Sequence, residues 1–289
     1  MTTNNWGRWG AEDQVGAPNT ISSELTVAAL SLARTGELVS LAQPFGQAAP
    51  VPPHRGPGQR FMDRDAGDWA LGARVVGGFK FSEDTVLIST HSGTHMDALS
   101  HVWEGDELYN GHPASAIRST RGATKLGAEH LPGRVTRGIL IDAVAMRGRP
   151  LEPSEEITVE DIERGYATAN TEPQPGDCVL TRTGWWERGF APAEYFDNEP
   201  GIGEAAADWL AAADAAYVGA DNYAVEVQPS REGTRFPAHL TLLHRHGIPL
   251  IENMDLSGIA GIDRSFTLLL APIGFAGSTA AQVNPIAVL

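Results

Sequence analysis

Residues 91 to 101 read His91-Ser92-Gly93-Thr94-His95-Met96-Asp97-Ala98-Leu99-Ser100-His101, with three imidazoles and a carboxylate at offsets 0, 4, 6 and 10. That spacing restricts the local backbone. On a helix His91 and His95 share a face, but Asp97 points roughly 240° around from His91 at about 100° per residue. Gly93 and the β-branched Thr94 weaken a helix further. In an extended chain every second side chain returns to the same side, so residues 91, 95, 97 and 101 line one side. The preceding run, Thr85 to Thr90, is rich in β-branched residues and reads as a strand. The expectation is a strand that runs on into a loop and gathers the four groups. The plainer alternative, a polar loop with incidental histidines, has to put three of the chain's nine histidines in one short window by chance.

Imidazole nitrogen and carboxylate oxygen without sulfur suit Zn, Mn or Fe(II). His91, His95 and Asp97 can supply three ligands and leave coordination positions open for water, which separates a catalytic metal from a structural one. His101 then remains as a general acid or base, a role histidine suits near neutral pH.

A chain of 289 residues can bury a substantial core without metal or disulfide support. Its net charge of -15 argues against nucleic acid or an anionic membrane as partner. Cys178 is the single cysteine, which excludes an intramolecular disulfide and a thiolate metal cluster. The N-terminal stretch lacks the apolar core of a signal peptide, and the most apolar tract, Phe266 to Ala276, is interrupted by Pro272 and Gly274 and too short to span a bilayer. A soluble cytoplasmic protein is expected.

Periodicity and punctuation then place the elements. A helix starts at Ser22 or Ser23 and runs towards Gly36, followed by a strand over 37–41. Residues 43 to 60 carry five prolines and several glycines and form an arm or surface loop, too early in the chain to be a domain linker. Further strands are expected at Arg137–Asp142, Cys178–Arg182, Ala216–Ala220, Ile248–Glu252 and Phe266–Ala271. Helices are expected at Ile157–Tyr166, capped by Thr158, at Glu204–Ala216 and at Ala238–Arg245. The irregular alternation fits one mixed α/β domain over residues 1–289, with 1–60 as an N-terminal extension.

The pattern His91-x-Gly93-Thr94-His95-x-Asp97 followed by His101 resembles the signature of the cyclase-like metal-dependent hydrolases, a family that includes bacterial kynurenine formamidase, isatin hydrolase and a trans-dienelactone hydrolase. Trp9-Gly10-x-x-Asp13-x-x-Gly16-x-x-Asn19, Tyr109-Asn110-Gly111, Thr136 to Leu140, Pro175-Gly176-Asp177, Arg182 to Trp185, Gly219-Ala220-Asp221 and the run from His239 to Asn253 are similar to segments of its longer members. The resemblance implies the swivelling β/β/α fold with a mixed sheet core, and one or two divalent ions, Mn or Zn. It implies His91, His95 and Asp97 as metal ligands, His101 as acid/base, and His239 and Glu252 as more distant ligands. The activity implied is hydrolysis of a non-peptide amide, in particular a lactam, imide or arylformamide. A lactone hydrolase, or a relative that binds metal or ligand without catalysis, is the alternative. Leu99 stands where the short formamidases carry proline, which leaves the substrate open. A small-molecule substrate and a homo-oligomer, dimer or tetramer, are expected.

Other residues have simpler readings. His239 alone is more often a core or helix-surface histidine. Glu252 follows the apolar run Ile248–Ile251, where a metal or a salt bridge has to offset the cost of its charge. His244 and His246 read as structural at a helix end, and His54, His112 and His130 as surface residues. Asp221, Asn222, Tyr223 and Glu226 either line a pocket or form a polar loop. Trp6, Trp9, Trp185 and Trp186 read as core or interface packing before substrate contact. Cys178 reads as a buried small apolar residue.

Overall fold

The structure, a computed structural model, describes residues 4–46, 51–72, 77–189 and 194–289. Parts of the proline-rich 43–60 segment and of the glycine-dense tract from Gly72 to Lys80 lie outside the described residues.

A nine-stranded mixed sheet organises the chain. Its strands are β1 (Leu38–Ser40), β2 (His95–Asp97), β3 (Arg134–Asp142), β4 (Cys178–Arg182), β5 (Tyr217–Ala220), β6 (Leu250–Glu252), β7 (Phe266–Leu270), β8 (Ala280–Gln282) and β9 (Ile286–Val288). The spatial order is β1-β9-β7-β3-β4-β5-β6-β2-β8. The central four, β3 to β6, are mutually parallel. They are nearly continuous apolar runs because both faces are covered. Ile139, Ile141, Val179, Val218 and Leu250 face one core, shared with helices α2 (Val159–Thr168) and α3 (Glu204–Ala212). Leu140, Cys178, Leu180, Tyr217 and Ile251 face the other, with Met96, Phe266 and Leu268. The mixed α/β single-domain reading therefore holds, and Cys178 is a buried core residue.

Four expectations about local structure need correction. The run over 85–90 does not lead into the main sheet as a strand. Its first part belongs to Glu83–Leu87, which pairs with Gln59–Arg64 in an exposed two-stranded ribbon. The short strand falls on His95–Asp97 instead, and turns bring His91 and His101 in from either side. β-propensity marks what fits a pleated surface, not which sheet it joins. His112 is buried, not a surface residue, and its Nε2 lies 3.0 Å from the Asp13 carbonyl. The strands β8 and β9 carry no run of strong strand formers, and their pairing is tertiary. The first helix, Ser23–Leu30, ends short of Gly36, and the one before β5 stops at Ala212.

The N-terminal segment is stitched to the domain. Asp13 accepts hydrogen bonds from the Gly16 amide at 2.9 Å and from Asn19 Nδ2 at 2.7 Å. Asn110 accepts from the Gly7 amide and donates to the Gly10 carbonyl. Gly16 sits at φ +74°, and a Cβ there would lie 2.3 Å from the Gly247 carbonyl oxygen and 2.9 Å from the Leu99 side chain. Leu99 and Ala17 thus belong to the same core. Leucine at position 99 is a packing residue for the N-terminal segment.

Helix α2 starts at a reciprocal cap between Thr158 and Asp161, and Asp161 also takes both Arg147 Nη atoms at 2.7 and 2.6 Å. Burial opposes ionisation of Asp161, but Arg147 and the Thr158 amide outweigh it and hold the carboxyl below its ordinary value. Replacing Asp161 with Asn should cost about 1–3 kcal/mol at pH 7, from the lost charged pair and weakened cap. A carboxyl whose folded pKa lies below the unfolded value stabilises fully above the unfolded value, and that contribution fades as pH falls through the folded one. Denaturant unfolding at pH 7 and in acid should show the deficit shrinking. An equal deficit at both would contradict its ionic origin.

Candidate metal centre

On β2, residues 95 and 97 share one side while Met96 between them points into the core. Both neighbours of β2 run antiparallel to it, with Glu252 of β6 directly opposite His95, and Ala280 of β8 opposite Asp97. Directly opposed residues share a face, which carries Glu252 to the imidazole. Glu252 is the last residue of a parallel-block strand, where ligands of open α/β sheets gather.

Gly93 and Thr94 set the approach. Gly93 has φ +63°, and a Cβ there would come within 2.4 Å of the Phe45 ring. Thr94 Oγ1 accepts from the Gln43 amide at 2.8 Å and donates to the Asn253 carbonyl at 2.5 Å. That hydroxyl pins the segment before β2 to the residue after Glu252. The motif's small and hydroxyl residues are therefore steric and positional.

The six candidate residues converge. His91 Nδ1 lies 2.8 Å from Asp97 Oδ1, and His95 Nε2 lies 3.5 Å from the same oxygen and 3.2 Å from Glu252 Oε2. His101 Nε2 is 3.9 Å from Asp97 Oδ2, and His239 Nε2 is 4.0 Å from it and 3.2 Å from Glu252 Oε1. Two donor triads arise, His91–Asp97–His101 and His95–Asp97–Glu252, which share Asp97. His101 can accordingly ligate as well as work beside the centre.

The donor set fits a divalent cation. Asp97 is fully buried, yet among the described residues neither of its oxygens has a hydrogen-bond partner, and the same holds for His91 Nδ1 and His95 Nε2. Close approach without hydrogen-bond geometry is costly for buried polar atoms, and a cation between them satisfies all four. The outer atoms are already committed. His95 Nδ1 meets the Gly93 carbonyl at 2.8 Å, His91 Nε2 meets Thr279 Oγ1 at 2.9 Å, and His239 Nδ1 meets Glu226 Oε1 at 2.5 Å. Such contacts fix which ring nitrogen faces inward.

The carboxylates dominate the electrostatics. Burial lowers the His95 pKa, but Asp97 and Glu252 outweigh it and push it to about 10. Asp97 is held well below its ordinary value against burial, by His101 and His91. His101 goes the other way. Burial, with His91 and His239 nearby, brings it down to about 4 despite the pull of Asp97.

Glu226 was ambiguous in the sequence and is the clearest addition. Buried, it accepts from the Ala238 amide at 3.1 Å, the His239 amide at 3.0 Å and the His239 ring. Its only sequence signal was a carboxylate a few residues beyond a strand end. Asp221 is structural, accepting from Thr183 and Gly184. Trp185 is in the core, and Trp6 packs edge-on against His244.

A family model described as a putative cyclase matches residues 39–227, and the chain belongs to that family. A solved structure described as a novel cyclase is 36% identical, with 100% of both chains covered and a TM-score of 0.92. Isatin hydrolase A from Labrenzia aggregata, bound to benzyl benzoate, is 20% identical over 92% of this chain and 98% of its own, with a TM-score of 0.67. A predicted metal-dependent hydrolase from Bacillus stearothermophilus is 23% identical over 87% and 97%, with a TM-score of 0.55. The last two share the fold. No curated protein matches the sequence. Among the described residues no helix is long and apolar enough to cross a membrane.

Glu226→Gln should lower affinity for a divalent metal by about 10–100-fold, the usual cost of losing a ligand's orienting partner. Calorimetric titration with manganese reads this. Unchanged affinity would remove Glu226 from the metal-orienting set.

Proposed function

We propose that the protein is a metal-dependent hydrolase of a carbon–nitrogen bond in a non-peptide, cyclic amide. The observation that carries this reading is the buried cluster of unpaired Asp97, His91 and His95 atoms, joined by Glu252, at the carboxyl end of the sheet. The hydrolase structures that share its fold support the same direction.

His91, His95, Asp97, His239 and Glu252 would hold one or two divalent ions, Mn or Zn by the nitrogen and oxygen character of the donors. Bound there, a divalent ion supplies Lewis-acid polarisation of a carbonyl and a lowered water pKa. His101 is the least buried of the histidines in the cluster and is neutral at pH 7, so its Nε2 can take a proton from the attacking water. The water oxygen bonds to the carbonyl carbon, the carbon–nitrogen bond breaks, and His101 returns the proton to the departing nitrogen. Asp97 faces the His101 ring and stabilises its protonated form in passing.

A panel of formamides, lactams, imides and lactones, assayed with Mn or Zn and with chelator, tests the reading. Amide turnover that chelator abolishes is expected, and His101→Ala should lower it by about 10²–10⁴-fold while the variant still folds. Turnover of lactones alone would overturn the bond assignment, and metal uptake without any turnover would favour a binding protein.

Self-association belongs to the same proposal. The ribbon of Gln59–Arg64 and Glu83–Leu87 exposes Phe61 and Leu87 on one face and Met62 and Val86 on the other, apolar side chains of the kind oligomers cover. Light scattering should report a dimer or tetramer, and a clean monomer would contradict it.

A further inference from the structure

Tyr223 is tied to residues that flank the candidate metal ligands. Its amide donates to Glu199 Oε2 at 2.7 Å, and Glu199 is fully buried. Its ring meets Phe196 edge-on at 4.8 Å, and the Arg55 guanidinium lies over it 5.6 Å from the centroid. Arg55 also donates to the His91 carbonyl, so one side chain spans from the first metal-ligand candidate to the Tyr223 ring. On the other side, the Asn222 carbonyl accepts from the Asn253 amide at 2.8 Å, which ties the residue before Tyr223 to the residue after Glu252.

With backbone and ring so fixed, the hydroxyl is left without a hydrogen-bond partner among the described residues, although the residue is half-buried. Tyr166 and Tyr195 behave differently, donating to Asp177 Oδ2 at 3.0 Å and to the Asp221 carbonyl at 3.1 Å. The phenol feels the charges of the centre. Burial, then Glu252, with Glu199 and Asp97 adding, push its pKa up to about 12 against the pull of Arg55. Asp97 and Glu252, the carboxylates of the centre that act on it, are acceptors when ionised. An amide carbonyl that gains negative charge during hydrolysis needs a donor.

We propose that Tyr223 is a catalytic residue whose hydroxyl donates a hydrogen bond to the carbonyl oxygen of the bound amide, while Arg55 is a positioning residue that holds the ring over the centre. This rests on the hydrolase reading above. The phenol keeps its proton throughout, and no bond to it forms or breaks.

Tyr223→Phe removes only the hydroxyl and keeps the contacts to Phe196 and Arg55. Thermal midpoint and manganese stoichiometry should match the unsubstituted protein. On the best amide of the panel, kcat/KM should fall on the order of 10²-fold, mostly through kcat, as for loss of one oxyanion donor. A readout independent of turnover is benzohydroxamate, which presents a carbonyl oxygen to the manganese-loaded protein, with binding followed by calorimetry. Tyr223→Phe should weaken it about tenfold. Equal benzohydroxamate affinity in the two proteins overturns the proposal, whether or not an amide is turned over. Failure of the loaded, unsubstituted protein to bind benzohydroxamate overturns it too. Absence of turnover across the whole panel with the affinity difference intact overturns the hydrolase reading and leaves the phenol as a carbonyl-binding group.

Discussion

Asp97 is a carboxylate with no exposed surface and, among the described residues, no hydrogen bond to either oxygen, held among three imidazoles and within reach of a second buried carboxylate. A buried charge in that condition is among the most expensive groups a protein can contain. Much of the surrounding structure serves to hold it there. β2 is only His95–Asp97, yet it is paired on both sides, and the pairing with β6 places Glu252 opposite His95. Thr94 clamps the segment before β2 to the Asn253 carbonyl. Gln43, from the segment after β1, donates its amide to the same hydroxyl. A slip of one residue in this register would turn His95 and Asp97 into the core and bring Met96 to the centre.

The N-terminal segment and the core share this dependence. Leu99 packs two residues beyond Asp97, against Gly16 and beside Ala17, so the chain that leaves the metal centre is also the floor under the N-terminal segment. His112 and Asn110 fix that segment from the other side. Leu99 is thus a packing residue. It removes no donor from the centre and says nothing directly about substrate.

Much of the site was legible in local sequence. Alternation alone put His95 and Asp97 on one side, and the metal chemistry followed from the donor types. Strands β3 to β7 were visible because continuous apolar runs bounded by turn residues are what a sheet covered on both faces requires. Elements with a weak local pattern were missed or misplaced. β8 and β9 are three residues each and take their identity from the neighbours they pair with. The run over 85–90 had the right composition for a strand and joined another sheet. Glu226 and Tyr223 stayed open between a pocket lining and a polar loop, because no short-range pattern says which carboxylate will meet a histidine ring.

The sequence by itself determined the donor chemistry, the shared side of His95 and Asp97 and the covered character of the central strands. All three depend on residue type and spacing over a few positions. Only the tertiary structure decided that Glu252 stands opposite His95, that Glu226 fixes the His239 ring, and that Arg55 reaches from the His91 carbonyl to the Tyr223 ring. Those contacts join residues far apart in the chain, and their energy exists only once the sheet register has brought them within hydrogen-bonding distance.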